Sequence, residues 1–232
     1  MINYFKKVYY EKYSKKSYSL SNVDLVIERI FKNKKKGVFI DVGCNHPIKY
    51  NNTYLLYKKG WRGINIDLDQ ESIEQFNKLR SGDDNIQTLV TSFDDEEKEL
   101  YFYHSRSAIN TISKELAESR NKNFKKIKKL KGKTLNSIIE NSKFKGSKIN
   151  FLSIDIENYE YEALKNFNFG KYDIDIIVTE ITDTNIKNLE VYNLSLENII
   201  KTDLYKLLTN NNYKLINWIN ADLIFAKNIT KF

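Results

Sequence analysis

From Gly37 onward, short apolar runs of strand length alternate with segments of helical period, and this alternation constrains the fold more than any other feature. Val38–Val42, Gly63–Leu68, Ile86–Ser92, Ile149–Ile156 and Ile174–Ile181 read as strands. Thr53–Lys59, Glu71–Leu79, Leu135–Asn141 and Tyr159–Phe167 read as helices between them, and Leu194–Asn210 as one long helix. Leu100–Tyr103 reads as a further strand in a hairpin with the third, and residues 113–131 are helical in pattern. Tyr213–Trp218 and Asp222–Ala226 read as a closing antiparallel pair. The pattern predicts an α/β, Rossmann-like fold: a mostly parallel seven-stranded sheet with a terminal antiparallel strand and helices on both faces.

The 232 residues suit one such domain, over 37–232, preceded by an N-terminal helical extension over 1–36. Within the extension, residues 1–20 read as a docked arm or frayed tail. A helix follows, with Ser21 as its cap, Asp24 three residues on, and an apolar face of Val23, Val26, Ile27, Ile30 and Phe31. Residues 105–148 interrupt the alternation and are expected to cover a substrate.

At 41% hydrophobic, the chain can bury a full core. No apolar stretch reaches the roughly 20 residues that cross a bilayer, and the start of the chain lacks a leader pattern. A single cysteine, Cys44, excludes an internal disulfide framework and a cysteine-rich zinc cluster. A soluble protein of the reducing cytoplasm is the expectation. The net charge of +8 comes mostly from Lys in a chain poor in Pro and Gly, so it reads as composition and not as a nucleic-acid footprint.

The segment Phe39-Ile-Asp41-Val-Gly43-Cys-Asn45 places chemistry at a strand end, where open α/β sheets bind ligands. Gly43 permits a sharp turn and close backbone approach. Asp41 can pair with a ligand ammonium. Asp67 ends the next strand, at a distance comparable to the roughly 20 residues at which Rossmann folds place the acid that binds a ribose. This Asp-x-Gly-x-Asn lacks the glycines of a pyrophosphate cradle, which argues against NAD and FAD. S-adenosylmethionine carries no phosphate and needs no such cradle. Asp41, Gly43, Asn45, Asp67, Ser92 at the end of the third strand, and Asp155 are the candidate cofactor residues.

Asp155 and Glu157 share one face of a strand, and Glu180 ends the next. Clustered carboxylates raise a proton affinity or recruit a cation, so Asp155, Glu157 and Glu180 are candidate catalytic groups. Asp155 and Glu180 are candidate ligands for Mg²⁺ or Mn²⁺. Glu160 reads as favourable charge at a helix N-terminus. His46, beside the cofactor loop, is the better candidate base of the two histidines; His104 is the other. Trp61 reads as core. Lys122, Lys125, Lys126, Lys128, Lys129, Lys131 and Lys133 read as a solvated face, with a sugar-nucleotide diphosphate as the functional alternative.

In order, these motifs resemble the FkbM-type methyltransferases, class I enzymes that use S-adenosylmethionine. The resemblance runs from about Gly37 to Ile181. It rests on Phe39-Ile-Asp41-Val-Gly43-Cys-Asn45-His46-Pro47, Tyr50-Asn-Asn-Thr53, Gly60-Trp61-Arg-Gly63-Ile-Asn-Ile-Asp67, Ala108-Ile-Asn110-Thr111, Leu152-Ser-Ile-Asp155-Ile-Glu157 and Val178-Thr-Glu180. One departure is Asn158, where the family usually has glycine; Asn tolerates the left-handed region. The resemblance implies that 37–232 is a class I methyltransferase domain. It implies O-methylation, often of a sugar on a nucleotide-activated or surface-polysaccharide precursor, with Asn110 and Thr111 near cofactor or acceptor. The alternatives are a nucleic-acid methyltransferase, suggested only by charge, and a non-catalytic binder of the cofactor. No membrane span and no nucleic-acid partner are expected.

Overall fold

A computed structural model describes residues 14–105, 107, 110–119, 124–181 and 195–228. The arm over residues 1–13, and Lys122, Ala108, Ile109 and Leu194, lie outside the described residues. In chain order the elements are α1 (Val23–Ile30), β1 (Val38–Val42), α2 (Tyr54–Lys58), β2 (Arg62–Asp67), α3 (Gln70–Leu79), β3 (Asp84–Gln87), β4 (Leu89–Val90) and β5 (Glu97–Phe102). They continue with α4 (Lys114–Ser119), β6 (Lys126–Lys133), α5 (Leu135–Glu140), β7 (Ile149–Ile154), α6 (Glu160–Leu164), α7 (Phe169–Tyr172) and β8 (Ile176–Glu180). The chain closes with α8 (Leu196–Ile199), α9 (Asp203–Asn210), β9 (Lys214–Ile219) and β10 (Asp222–Ala226).

The main sheet has seven strands in the order β3-β2-β1-β7-β8-β10-β9. Pairings from β3 through β8 are parallel, and β10 runs antiparallel to both β8 and β9. The fold is α/β and Rossmann-like, as the alternation predicts. Strand alternation divides the core. Ile40, Val42, Ile64, Ile66, Leu152 and Ile154 pack one face against Leu135 and Ile139 of α5, Leu164 of α6 and Leu208 of α9. Phe39, Phe151, Ile176, Val178 and Ile224 pack the other face against Val23 and Ile27 of α1, Leu56 of α2, and Trp61, which is core as expected.

Five local expectations are corrected. The third strand is split: β3 pairs with β2, while Leu89 and Val90 join a separate sheet of order β4-β6-β5. Gly132 permits this, because a Cβ there would lie 2.3 Å from the Thr91 methyl. Leu100–Tyr103 therefore makes no hairpin with the third strand; β5 pairs with β6 instead. Residues 113–131 are not one helix: only Lys114–Ser119 is helical, and Lys126–Lys133 is extended. Glu97 and Glu99 of β5 stand opposite Lys131 and Lys129, and opposite charges across an antiparallel pair outweigh the weak helical preference of Lys.

The long helix over 194–210 is two helices. Thr202 is extended at ψ 148°, and its Oγ1 accepts from the Tyr205 N–H at 3.2 Å, starting α9 afresh. Ser21 does not cap α1. Ser19 Oγ accepts the Val23 N–H at 2.9 Å, while the Ser21 hydroxyl donates to Asp222. Asp24 is buried and accepts from Ser17 Oγ and the Tyr18 N–H, which docks residues 17–18 on the helix.

Candidate functional site

The strand order turns back between β1 and β7, and the crevice at such a switch point is where open α/β sheets hold ligands. A cavity of about 770 Å³ opens there, lined by Val42 and Gly43 from the end of β1 and by Asp155 and Ile156 from the end of β7. Asp67, Asp69, Glu71 and Glu74 line it from β2 and α3; Glu157, Glu180 and Asp222 line it from the side of β7, β8 and β10. Leu100, Phe102, Asn110, Thr111 and Lys128 come from the smaller sheet and the segment following β5. Among the described lining residues, Lys128 is the one lysine.

Gly43 adopts φ 77°, and a Cβ there would stand 1.9 Å from the Asp155 carbonyl oxygen. Only glycine allows β1 and β7 to leave the sheet this close together. Gly43 and Cys44 donate N–H bonds to the Ile66 carbonyl at 2.9 and 3.1 Å, binding the loop to β2. Asn45 follows at φ 48°, and its N–H donates to Asp67 Oδ2 at 2.8 Å. The Asp69 N–H donates to Asp67 Oδ1 at 2.8 Å. Burial pushes the Asp67 carboxyl up to about 6, against the pull of these two bonds.

Asp41 is placed differently from a ligand-pairing acid. It is buried and does not line the cavity; Oδ2 accepts from Asn51 Nδ2 at 2.9 Å and Thr53 Oγ1 at 2.8 Å. Arg80, fully buried, donates to Asn51 Oδ1 and Thr53 Oγ1 and pairs with Asp83 at 2.8 Å. Burial raises the Asp41 carboxyl, and the Arg80 charge opposes that rise. This network, with Arg80 at its centre, was not visible in the motifs. A lone arginine after a helix reads as charge at the helix C-terminus.

Asp155 stands on the cavity floor, open to the cavity but enclosed by protein atoms. It shares a hydrogen bond with Glu180 on the neighbouring strand. Burial and mutual repulsion raise both carboxyls above their ordinary range. Glu157 and Asn158 are both left-handed, at φ 58° and 67°, so Asn158 adopts the conformation expected of a glycine replacement. Thr111 Oγ1 donates to the Glu157 carbonyl at 3.3 Å. Glu160 is buried beside Asp155; it accepts the Ile156 N–H at 2.7 Å, and burial pushes its carboxyl up to about 8.

Three further candidates, like Asp41, are not brought to the cavity lining. His46 Nδ1 accepts the Ile48 and Lys49 N–H groups, both at 3.0 Å, and holds its own loop. Ser92 Oγ donates to the Glu162 carbonyl at 2.8 Å. His104 is exposed, with Nδ1 by the Ser105 carbonyl. Conversely, Leu20, Ser21 and Asp222 line the cavity with no motif to announce them, and Tyr50, quoted only as part of the family resemblance, lines it with them. Among the described residues, no three His, Cys, Asp or Glu side chains are grouped to hold a metal ion. No described helix is long and apolar enough to cross a membrane.

No curated protein matches the sequence. Residues 41–215 match the family described as the Methyltransferase FkbM domain. That span begins on Asp41 and runs through the Gly43 loop, Asp67, Asp155 and Glu180, so the match covers the switch-point crevice as well as most of the sheet. On that match the chain belongs to the FkbM methyltransferase family.

Proposed function

We propose that the chain is an S-adenosylmethionine-dependent O-methyltransferase whose acceptor is a sugar hydroxyl, on a nucleotide-activated sugar or a polysaccharide precursor. The observation that carries this reading is the Asp155–Glu180 pair, two hydrogen-bonded carboxylates at neighbouring strand ends facing one cavity. The family implies S-adenosylmethionine as methyl donor, and the residues fit it. Asp67 offers carboxylate lone pairs to a ribose diol, the Gly43 loop needs no phosphate, and a sulfonium cation suits a cavity rich in carboxylates.

When bound, the cofactor supplies an electrophilic methyl group. Asp67 would hold the ribose hydroxyls, its plane fixed by the Asn45 and Asp69 N–H groups. The Gly43–Asp155 contact holds the cofactor loop against the catalytic strand end. Glu180 donates to Asp155 and leaves it the carboxylate of the pair. Asp155 would hold the acceptor hydroxyl and take up its proton. Asn110 and Thr111 line the cavity, Thr111 bound to the Glu157 carbonyl just beyond the end of β7. Positioning of this kind supplies up to ~7–11 kcal/mol in favourable cases.

Mass spectrometry of nucleotide sugars and glycans after incubation with S-adenosylmethionine tests the reading. A gain of one CH₂ on a sugar oxygen is expected. Methylation of protein or RNA nitrogen, with every sugar left unmodified, would falsify it. Chelator treatment with Mg²⁺ or Mn²⁺ add-back separates a base role of Asp155 and Glu180 from a metal-ligand role. An unchanged rate after chelation identifies the pair as base and positioning group.

A further inference from the structure

The mouth of the cavity carries apolar surface that the cofactor residues do not explain. Leu20 is 73% exposed and Tyr50 58% exposed, yet both line it. Tyr50 also sits at φ 53°, a left-handed conformation that is costly for a bulky side chain. Its neighbour Asn51 is locked: the N–H donates to the Tyr18 carbonyl at 3.0 Å, and Nδ2 donates to Asp41. The Tyr18 ring packs edge-on against Tyr54 at 4.8 Å. The loop and the segment before α1 are thus tied together, and the tie holds Tyr50 outward at the mouth. Beside them, the Ser21 hydroxyl is bound to Asp222, whose register partner across β8 and β10 is Glu180.

A sugar ring has apolar C–H faces and hydroxyl edges. An exposed aromatic with an aliphatic neighbour suits the first, and a carboxylate that accepts hydrogen bonds suits the second. The described lining offers carboxylates against one lysine, Lys128, whose Nζ lies 3.8 Å from the centroid of the Phe102 ring, with Lys126 Nζ 5.3 Å from the same centroid. Lys49, outside the lining, rests its Nζ 4.6 Å from the centroid of the Tyr50 ring and is held by that ring's face. The carboxylates of the lining repel a phosphate. Lys129 pairs with Glu97, a residue on from Lys128 and so on the opposite face of the strand.

We infer that Leu20, Ser21, Tyr50 and Asp222 form a clamp for an uncharged sugar ring, so that the acceptor is a neutral glycan and not a sugar diphosphate nucleotide. This rests on the sugar-hydroxyl reading above and chooses between its two acceptors. Leu20, Ser21 and Asp222 fall outside residues 41–215 and Tyr50 within them, so three of the four clamp residues belong to the flanks of the matched span.

Saturation-transfer NMR on the full chain with S-adenosylhomocysteine tests the clamp, using a panel of neutral oligosaccharides and UDP-glucose as the phosphorylated arm. Transfer to at least one neutral sugar and none to UDP-glucose is expected. Tyr50→Ala and Asp222→Asn should each weaken that sugar about tenfold, equivalent to about 1.4 kcal/mol. Calorimetric affinity for S-adenosylhomocysteine should stay at the wild-type value. Leu20→Ala, at an exposed position, carries the test if Asp222→Asn does not fold. Binding of UDP-glucose alone, of no sugar, or equal binding by the variants overturns the clamp. Methyl transfer to a nucleotide sugar would overturn the clamp while leaving the sugar-hydroxyl reading standing.

Discussion

Asp67 joins the Gly43 loop to the second strand through two backbone N–H bonds, and in the proposed function its proton sets the pH response of cofactor binding. Its carboxyl is raised to about 6, so the acceptor form is present above that pH and is lost as pH falls through it. Affinity for S-adenosylmethionine should therefore drop below pH 6 in calorimetric titrations. Asp67→Ala should weaken binding by ~1.5–3 kcal/mol and remove that step. Retained affinity in the variant would take Asp67 out of the site. Gly43→Ala is predicted to be severe for a different reason. The new methyl meets the Asp155 carbonyl, and positive φ adds strain of about 1–3 kcal/mol. A melting temperature and cofactor affinity equal to wild type would show that the loop has another way to turn. Asp41, by contrast, shows how a residue in the right motif can face the wrong way for a ligand. Its place on β1 was legible, but its Asn51 and Thr53 partners turn it inward.

Among the elements, the strands were the most legible and the Lys-rich segment the least. Four of the five parallel strands, β1, β2, β7 and β8, follow from apolar runs whose side chains are buried on both faces, a signal that survives without tertiary context; β3, Asp84–Gln87, has no buried residue. Lys126–Lys133 has no such signal. Its extended form comes from Glu97 and Glu99, which lie some distance away in sequence. The break between α8 and α9 is a local signal of another kind, since Thr202 is both a tolerable helix residue and a good cap. Thr202→Ala should cost about 0.5–2 kcal/mol in urea denaturation. Lys129→Ala, which removes a largely exposed ion pair, should change stability by no more than about 0.5 kcal/mol. If the two variants are equally stable, Thr202 is not the cap that restarts the helix.

Across the whole molecule, a chain of net charge +8 holds a cavity lined by carboxylates. The excess of lysine therefore says little about what the site binds. Burial of carboxyls also shapes stability. Glu160 binds its proton up to about pH 8 in the folded chain, against 4.5 as its ordinary value. The folded form therefore holds a proton that the unfolded form has lost across that window. The stability this contributes is fully present below pH 4.5 and is withdrawn as pH rises through 8. Glu160→Gln should raise the melting temperature of the cofactor-free protein at pH 8.5 and leave it nearly unchanged at pH 4.5. An equal shift at both pH values would mean that the effect is packing and not ionisation.

The sequence by itself determined the α/β class, the parallel strands and the strand ends that carry Gly43, Asp67, Asp155 and Glu180. Each of these depends on local hydrophobic period and on residues adjacent to a strand terminus. The tertiary structure alone decided which side chains reach the cavity. Ser21 and Asp222 meet across 201 positions, Arg80 becomes the buried centre of a network, and His46 and Ser92 turn to partners of their own. The direction a side chain takes at a loop or strand end is set by partners distant in sequence, and no local period encodes those partners.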